Sequence, residues 1–204
     1  MPHVQTPVLI LPGYGDSGPE HWQRHWERDD PALRRVVQDD WLMPRLQDWI
    51  ATLDRHVREC ETPPVLAAHS LACSLVAHWA TRNLEERHGF AGALRVSGGM
   101  GGPFEAPHLV SGALLVAPAD VDSPIHTPDE VRDFSPIPLV SLPFPSIVVA
   151  STDDPFVTPA RAAAFAKAWG SRLVMLPSAA HINGDAGYGP WPEGKQLLAQ
   201  LRVR

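Results

Sequence analysis

Short apolar runs, each about one strand long and each closed by turn residues, constrain the fold of this chain most. Pro7–Leu11, Val65–Ala68, Ala113–Ala117, Ser146–Ala150 and Arg172–Leu176 are such runs, and Arg35–Gln38 is a less apolar sixth. Unbroken apolar strands suit a sheet covered on both faces; a half-exposed sheet would alternate apolar and polar residues. Helical spacing fills the intervals. Leu46, Trp49, Ile50, Leu53, Val57 and Cys60 form one apolar stripe, and Ala72, Leu75, Val76, Trp79 and Ala80 form another. Ser17-x-x-Glu20 reads as a capping box that opens a helix with Trp22 and Trp26. Thr158-Pro159 starts a helix that carries Phe165 and Trp169 and stops at Gly170, and a last helix runs from Pro192 to Leu201. Strands that alternate with helices predict an α/β fold: a mostly parallel sheet of about six strands with helices on both faces.

The length of 204 residues suits one domain over 1–204. Glycines at 89, 92, 98, 99, 101, 102 and 112 predict a long loop insertion near 85–111, with a short strand at Ala93–Val96. A surface insertion is the simpler reading and a lid over the site the functional one. Gly98–Gly102 has no lysine and no Gly-x-Gly-x-x-Gly register, so it is not a phosphate cradle. Residues 123–145, rich in proline, are expected to be irregular.

A net charge of -6 with no basic block argues against nucleic acid or an anionic membrane surface as partner. No apolar run is long enough to span a bilayer, and the N-terminus lacks the basic and apolar regions of a signal peptide. Cys60 and Cys73 have no metal-like spacing and fall on predicted helix faces, which suits buried free thiols in a reducing, cytoplasmic setting. The ten histidines are scattered. His21 and His25 are four apart but interleave with Trp22 and Trp26, a packed stripe of rings rather than a metal pair. No metal is expected.

The run Val65–His69 ends at Ser70, and a helix-period stretch begins at once. Strand, sharp turn, serine and helix make a nucleophile elbow, in which the hydroxyl projects from the sheet and the helix N-terminus aims free N–H groups beside it. The turn reads Ala68-His69-Ser70-Leu71-Ala72, with alanine where glycine is usual, so Ser70 is expected at positive φ without a glycine beside it. Ligands of a parallel sheet bind beyond the carboxyl ends of its strands. The polar residues there are Tyr14 and Gly15, Ser70, Asp120, Asp153 and Asp154, and His181. Nucleophile, acid and base follow in the chain order of α/β-hydrolases. Ser70 would attack an acyl carbon, His181 would carry the proton, and an aspartate would orient the imidazole. The N–H of Leu71 and one from the Gly13-Tyr14-Gly15 loop, assigned to Tyr14, would hold the oxyanion. Asp154 is the preferred acid; Asp153 is the alternative and Asp120, one strand earlier, the weaker one. Gly15 and Trp22 are candidate substrate contacts, with core packing the alternative for Tyr14 and Trp22. His69 is read as a packing residue behind the nucleophile, and Cys73 as facing away from the elbow.

Taken together, Leu11-Pro12-Gly13-Tyr14-Gly15 with Glu20-His21-Trp22, Ala68-His69-Ser70-Leu71, Ala117-Pro118-Ala119-Asp120, Ser151-Thr152-Asp153-Asp154-Pro155, and His181-Ile182-Asn183 with Gly189-x-Trp191-Pro192-Glu193-Gly194 resemble the retinoblastoma-binding-protein/YdeN type of serine hydrolase. The resemblance implies a compact α/β-hydrolase fold without a cap domain, no cofactor, the second aspartate of Asp-Asp-Pro as the acid, and carboxylesterase-type activity on a small-molecule acyl ester or thioester. The alternatives are a non-catalytic protein-binding member of the fold, with its partner unknown, and an amidase or peptidase using the same three residues.

Overall fold

The structure is a computed structural model that describes residues 6–96 and 109–202. Six strands form one sheet: β1 (Val8–Leu11), β2 (Leu33–Arg35), β3 (Val65–His69), β4 (Gly112–Val116), β5 (Ser146–Ser151) and β6 (Arg172–Leu176). Their order is β2-β1-β3-β4-β5-β6 and every pair is parallel. The helices are α1 (Trp22–Asp29), α2 (Leu46–Arg58), α3 (Leu71–Val96), α4 (Pro159–Trp169) and α5 (Pro192–Arg202). β1, β3, β4 and β5 are buried along their whole length, as unbroken apolar runs require.

Alternate residues feed two cores. Leu9, Leu66, Leu115 and Val148 pack with the residues of α2, α3 and α4, while Val8, Val65, Leu114 and Ile147 pack with those of α1 and α5. β2 lies on one side of β1 and β3 on the other, so the chain changes direction at β1. The loops after β1 and β3 therefore part there and leave a crevice at the carboxyl end of the sheet. Among the described residues no helix is long and apolar enough to cross a membrane.

Several elements depart from expectation. α3 continues through Val96, so residues 85–96 are helical rather than a loop with a strand at Ala93–Val96. Gly89 and Gly92 each cost about 1 kcal/mol in a helix interior, but lengthening a helix already nucleated gains a hydrogen bond per residue. The expected insertion beyond it, and its role as a lid, lies mostly outside the described residues. β2 covers Leu33–Arg35 instead of 35–38, because β1 offers partners only from Val8 to Ile10. No capping box forms at Ser17: α1 starts after His21, whose Nδ1 accepts from the Gln23 N–H, while Ser17 Oγ donates to the Gln23 side chain. Cys60 lies past the end of α2 and is only partly buried. Residues 123–145 carry a six-residue 3-10 turn, Asp129–Phe134.

Candidate active site

The site begins at the elbow. Ser70 follows β3 directly and sits at φ 56°, the left-handed region expected of it, and α3 starts at the next residue. Its N–H donates to the Val116 carbonyl at 2.9 Å, which anchors the turn to β4. Ala68 and Ala72 are fully buried, and the close approach usually granted by elbow glycines is granted from across the crevice. A Cβ on Gly13 would stand 2.8 Å from Ser70 Cβ, 2.9 Å from the His69 carbonyl and 3.3 Å from the Leu71 nitrogen. Only glycine lets the loop after β1 lie against the elbow. The sequence shows Gly13 simply as one of several loop glycines.

Three strand ends converge on the hydroxyl. His181 Nε2 lies 2.9 Å from Ser70 Oγ, and His181 Nδ1 lies 2.9 and 3.0 Å from the two carboxylate oxygens of Asp154. A carboxylate accepts, so Nδ1 carries the proton and Nε2 is left to accept from the Ser70 hydroxyl. Asp154 and His181 are both buried, and Asp154 Oδ1 also takes the Phe156 N–H at 2.9 Å. Asp153 instead caps the turn: its carboxylate accepts from the Ser151 hydroxyl at 2.6 Å and the Ala180 N–H at 2.8 Å. Those bonds favour the ionised carboxylate and hold its pKa below the ordinary carboxylate range. Asp120 pairs with Arg161 at 3.2 Å. Of the three acids, Asp154 is the one that meets His181.

The N–H groups of Tyr14 and Leu71 donate to no acceptor among the described residues. Both residues line a cavity of about 390 Å³ that also contains Ser70 and His181. Its apolar lining includes Val121, Val131 and Phe156, and its polar lining includes His21, Asn183 and Asp185. Two expected substrate contacts are absent from it. Trp22 is fully buried among the rings of Trp26, Trp191 and His69, so its bulk serves the core. Gly15, at φ 78°, turns its N–H to the Trp41 carbonyl at 3.0 Å and does not line the cavity. Conversely Val131 and Phe156 carry no local sequence signal of a site, and His21, read from the sequence as part of a packed stripe, also lines the cavity; tertiary packing brings all three to the crevice.

Among the other ionisable groups nearby, two histidine rings are held neutral and one thiol is inert. Burial, with help from Arg35 and His181, pushes His21 down to about 3, and burial takes His69 well below the usual histidine range. Cys73 is buried, with its sulfur near the Ala68 and Val116 carbonyls, and burial raises its thiol, so it is not a nucleophile. Among the described residues no cluster of ligating side chains is arranged to hold a metal.

A family model described as serine hydrolase matches residues 8–102 and 100–200. The YdeN hydrolase of Bacillus subtilis is 30% identical over 95 residues, a match that spans 45% of this chain and 50% of that protein, so only about half of that curated relative's length is covered. The crystal structure of a YdeN-like hydrolase from Pectobacterium atrosepticum superposes with a TM-score of 0.75 at 31% identity, covering 97% of this chain and 91% of the other. That of the ydeN gene product of B. subtilis superposes at 0.67 with 19% identity, over 98% of this chain and 100% of the other, which speaks to the α/β-hydrolase fold alone.

Proposed function

The chain belongs to the serine hydrolase family, and on that premise we propose that it hydrolyses small carboxylic esters, or thioesters, through an acyl-enzyme on Ser70. The observation that supports this reading most is the hydrogen-bonded run from Asp154 through His181 to Ser70, ending beside two N–H groups without acceptors.

In the first half-reaction Ser70 Oγ bonds to the acyl carbon while His181 Nε2 takes the hydroxyl proton. Asp154, unprotonated throughout, stabilises the imidazolium and keeps its Nδ1 proton directed inward. The carbonyl oxygen gains negative charge and is held by the N–H groups of Leu71 and Tyr14, the first of them at the positive end of α3. Collapse breaks the bond to the leaving oxygen or sulfur, which takes the proton from His181. Water then adds to the acyl-enzyme with His181 as base, and the proton returns to Ser70 as the acid leaves. A cavity of about 390 Å³ lined in part by Val121, Val131 and Phe156 suits a short or medium acyl group. Two free cysteines accord with a reducing compartment, and the cytoplasm is the proposed location.

Ser70→Ala should abolish both turnover of a nitrophenyl ester and labelling by a fluorophosphonate probe, with the fold retained. Turnover at the wild-type rate in that variant would overturn the assignment.

A further inference from the structure

The Glu20-His21-Trp22 segment has no part in the chemistry above, yet it lies against the loop that carries the base. Two successive carbonyls of that loop accept from buried ring N–H groups. His69 Nε2 lies 2.9 Å from the His181 carbonyl, and Trp22 Nε1 donates to the Ile182 carbonyl at 3.0 Å. A carbonyl only accepts, so the first bond fixes His69 as the Nε2–H tautomer.

These bonds act on a bend that its own residues do not favour. Ala180 and Ile182, on either side of His181, sit at φ 44° and 47°, a region in which side-chain-bearing residues are disfavoured. Surrounding contacts must hold such a bend, and they come from two directions. From the end of β5 and the turn after it, Ser151 Oγ and Asp153 Oδ1 accept the N–H groups of Ala179 and Ala180 at 2.9 and 2.8 Å. From the elbow and α1 come the His69 and Trp22 donors. His69 is the residue next to Ser70, so its ring ties the backbone of the base directly to the backbone of the nucleophile. The rings of His69 and His181 also meet edge to face, with centroids 4.7 Å apart. Burial keeps the His69 ring neutral.

We propose that His69 and Trp22 are positioning residues that set the Ser70–His181 distance by holding the carbonyls of His181 and Ile182. The proposal rests on the reading of Ser70 and His181 given above. It accounts for a histidine beside the nucleophile and for a tryptophan in α1 that never touches the cavity.

The test compares His69→Phe and Trp22→Phe, which keep a ring and lose the donor, with His69→Gln, which keeps an N–H donor. Three quantities are measured: the second-order rate of fluorophosphonate labelling, the low-field proton resonance of the His181–Asp154 hydrogen bond, and the melting temperature. Well below their melting temperatures, both Phe variants should label about tenfold or more slowly, since small misplacements of reacting groups carry effects of that size. Their low-field resonance should shift or broaden, and His69→Gln should recover part of both. Wild-type labelling and an unmoved resonance in the Phe variants, with only the melting temperature lowered, would overturn the proposal. Should those variants fail to fold, the His69 ring-nitrogen shifts of the wild-type protein decide: the Nε2–H tautomer supports the tie and Nδ1–H excludes it. A wild-type protein that takes no label would instead overturn the reading of the site itself.

Discussion

Gly13→Ala adds one methyl group, and the structure says what it meets. Its three nearest atoms, at 2.8, 2.9 and 3.3 Å, are Ser70 Cβ, the His69 carbonyl oxygen and the Leu71 nitrogen. All three belong to the elbow, and none is the end of a side chain that can rotate away. Non-bonded carbons rest at about 3.5–4.0 Å, so the loop after β1 and the elbow must separate by roughly 0.7–1.2 Å. That movement parts the N–H groups of Tyr14 and Leu71, the two assigned to the oxyanion. A displacement of about 1 Å in a reacting constellation costs on the order of a hundredfold in rate, and overpacking of this kind costs about 1–3 kcal/mol in stability. Steady-state kinetics on a nitrophenyl ester and urea unfolding read the two effects separately. The expected result is kcat lowered roughly a hundredfold in a folded protein. Gly15→Ala serves as the contrast, because a Cβ there meets nothing within 4 Å and the penalty comes from its φ of 78°. It should cost about 1–2 kcal/mol of stability and little rate. Wild-type kcat in Gly13→Ala would show that the loop after β1 does not build the oxyanion site.

Other perturbations bear on the remaining groups. Asp154→Asn should lower kcat about ten-thousandfold by favouring the wrong imidazole tautomer. Asp120→Asn should leave kcat nearly unchanged, since Asp120 faces Arg161 and not His181; equal losses in the two variants would remove Asp154 from its role. Acid should destabilise the protein from above the carboxylate range. His21 stays neutral in the folded state down to about 3 but takes its proton near 6.5 when unfolded, so the unfolded state binds more protons below that pH. Stability is therefore complete above about pH 6.5 and falls by about 1.4 kcal/mol per pH unit below it, with His69 adding a contribution of the same sign. Urea unfolding between roughly pH 5 and pH 8 measures this, and a flat profile would contradict the burial of both rings. Thiol reagents should leave Cys73 unmodified in the native protein and reach it on unfolding, as mass spectrometry would report.

The chain order of the proposed nucleophile, acid and base is legible in the sequence because it depends on local signals. An apolar strand that runs into a serine and then a helix forces a tight turn, and Asp-Asp-Pro and the histidine each follow a strand in the same way. Parallel pairing then brings all strand ends to one edge of the sheet, so chain order alone implies a common site. Element ends are less legible. β2 is displaced by two residues because its partner strand sets its length, and the capping box at Ser17 gives way to His21 because Gln23 draws the serine hydroxyl elsewhere.

What the sequence by itself determined was the alternation of strands and helices, the parallel sheet, and the positions of Ser70, Asp154 and His181 at strand ends. These follow from periodicities of two and 3.6 residues and from turn chemistry, which act over a few neighbouring residues. Only the tertiary structure decided which aspartate meets the imidazole, that Trp22 is buried rather than part of the cavity, and that Gly13 rather than an elbow glycine provides the close approach. Each of those is a contact across 27 to 160 residues of chain or a choice between adjacent side chains, settled by how loops from separate strands fit together in one crevice.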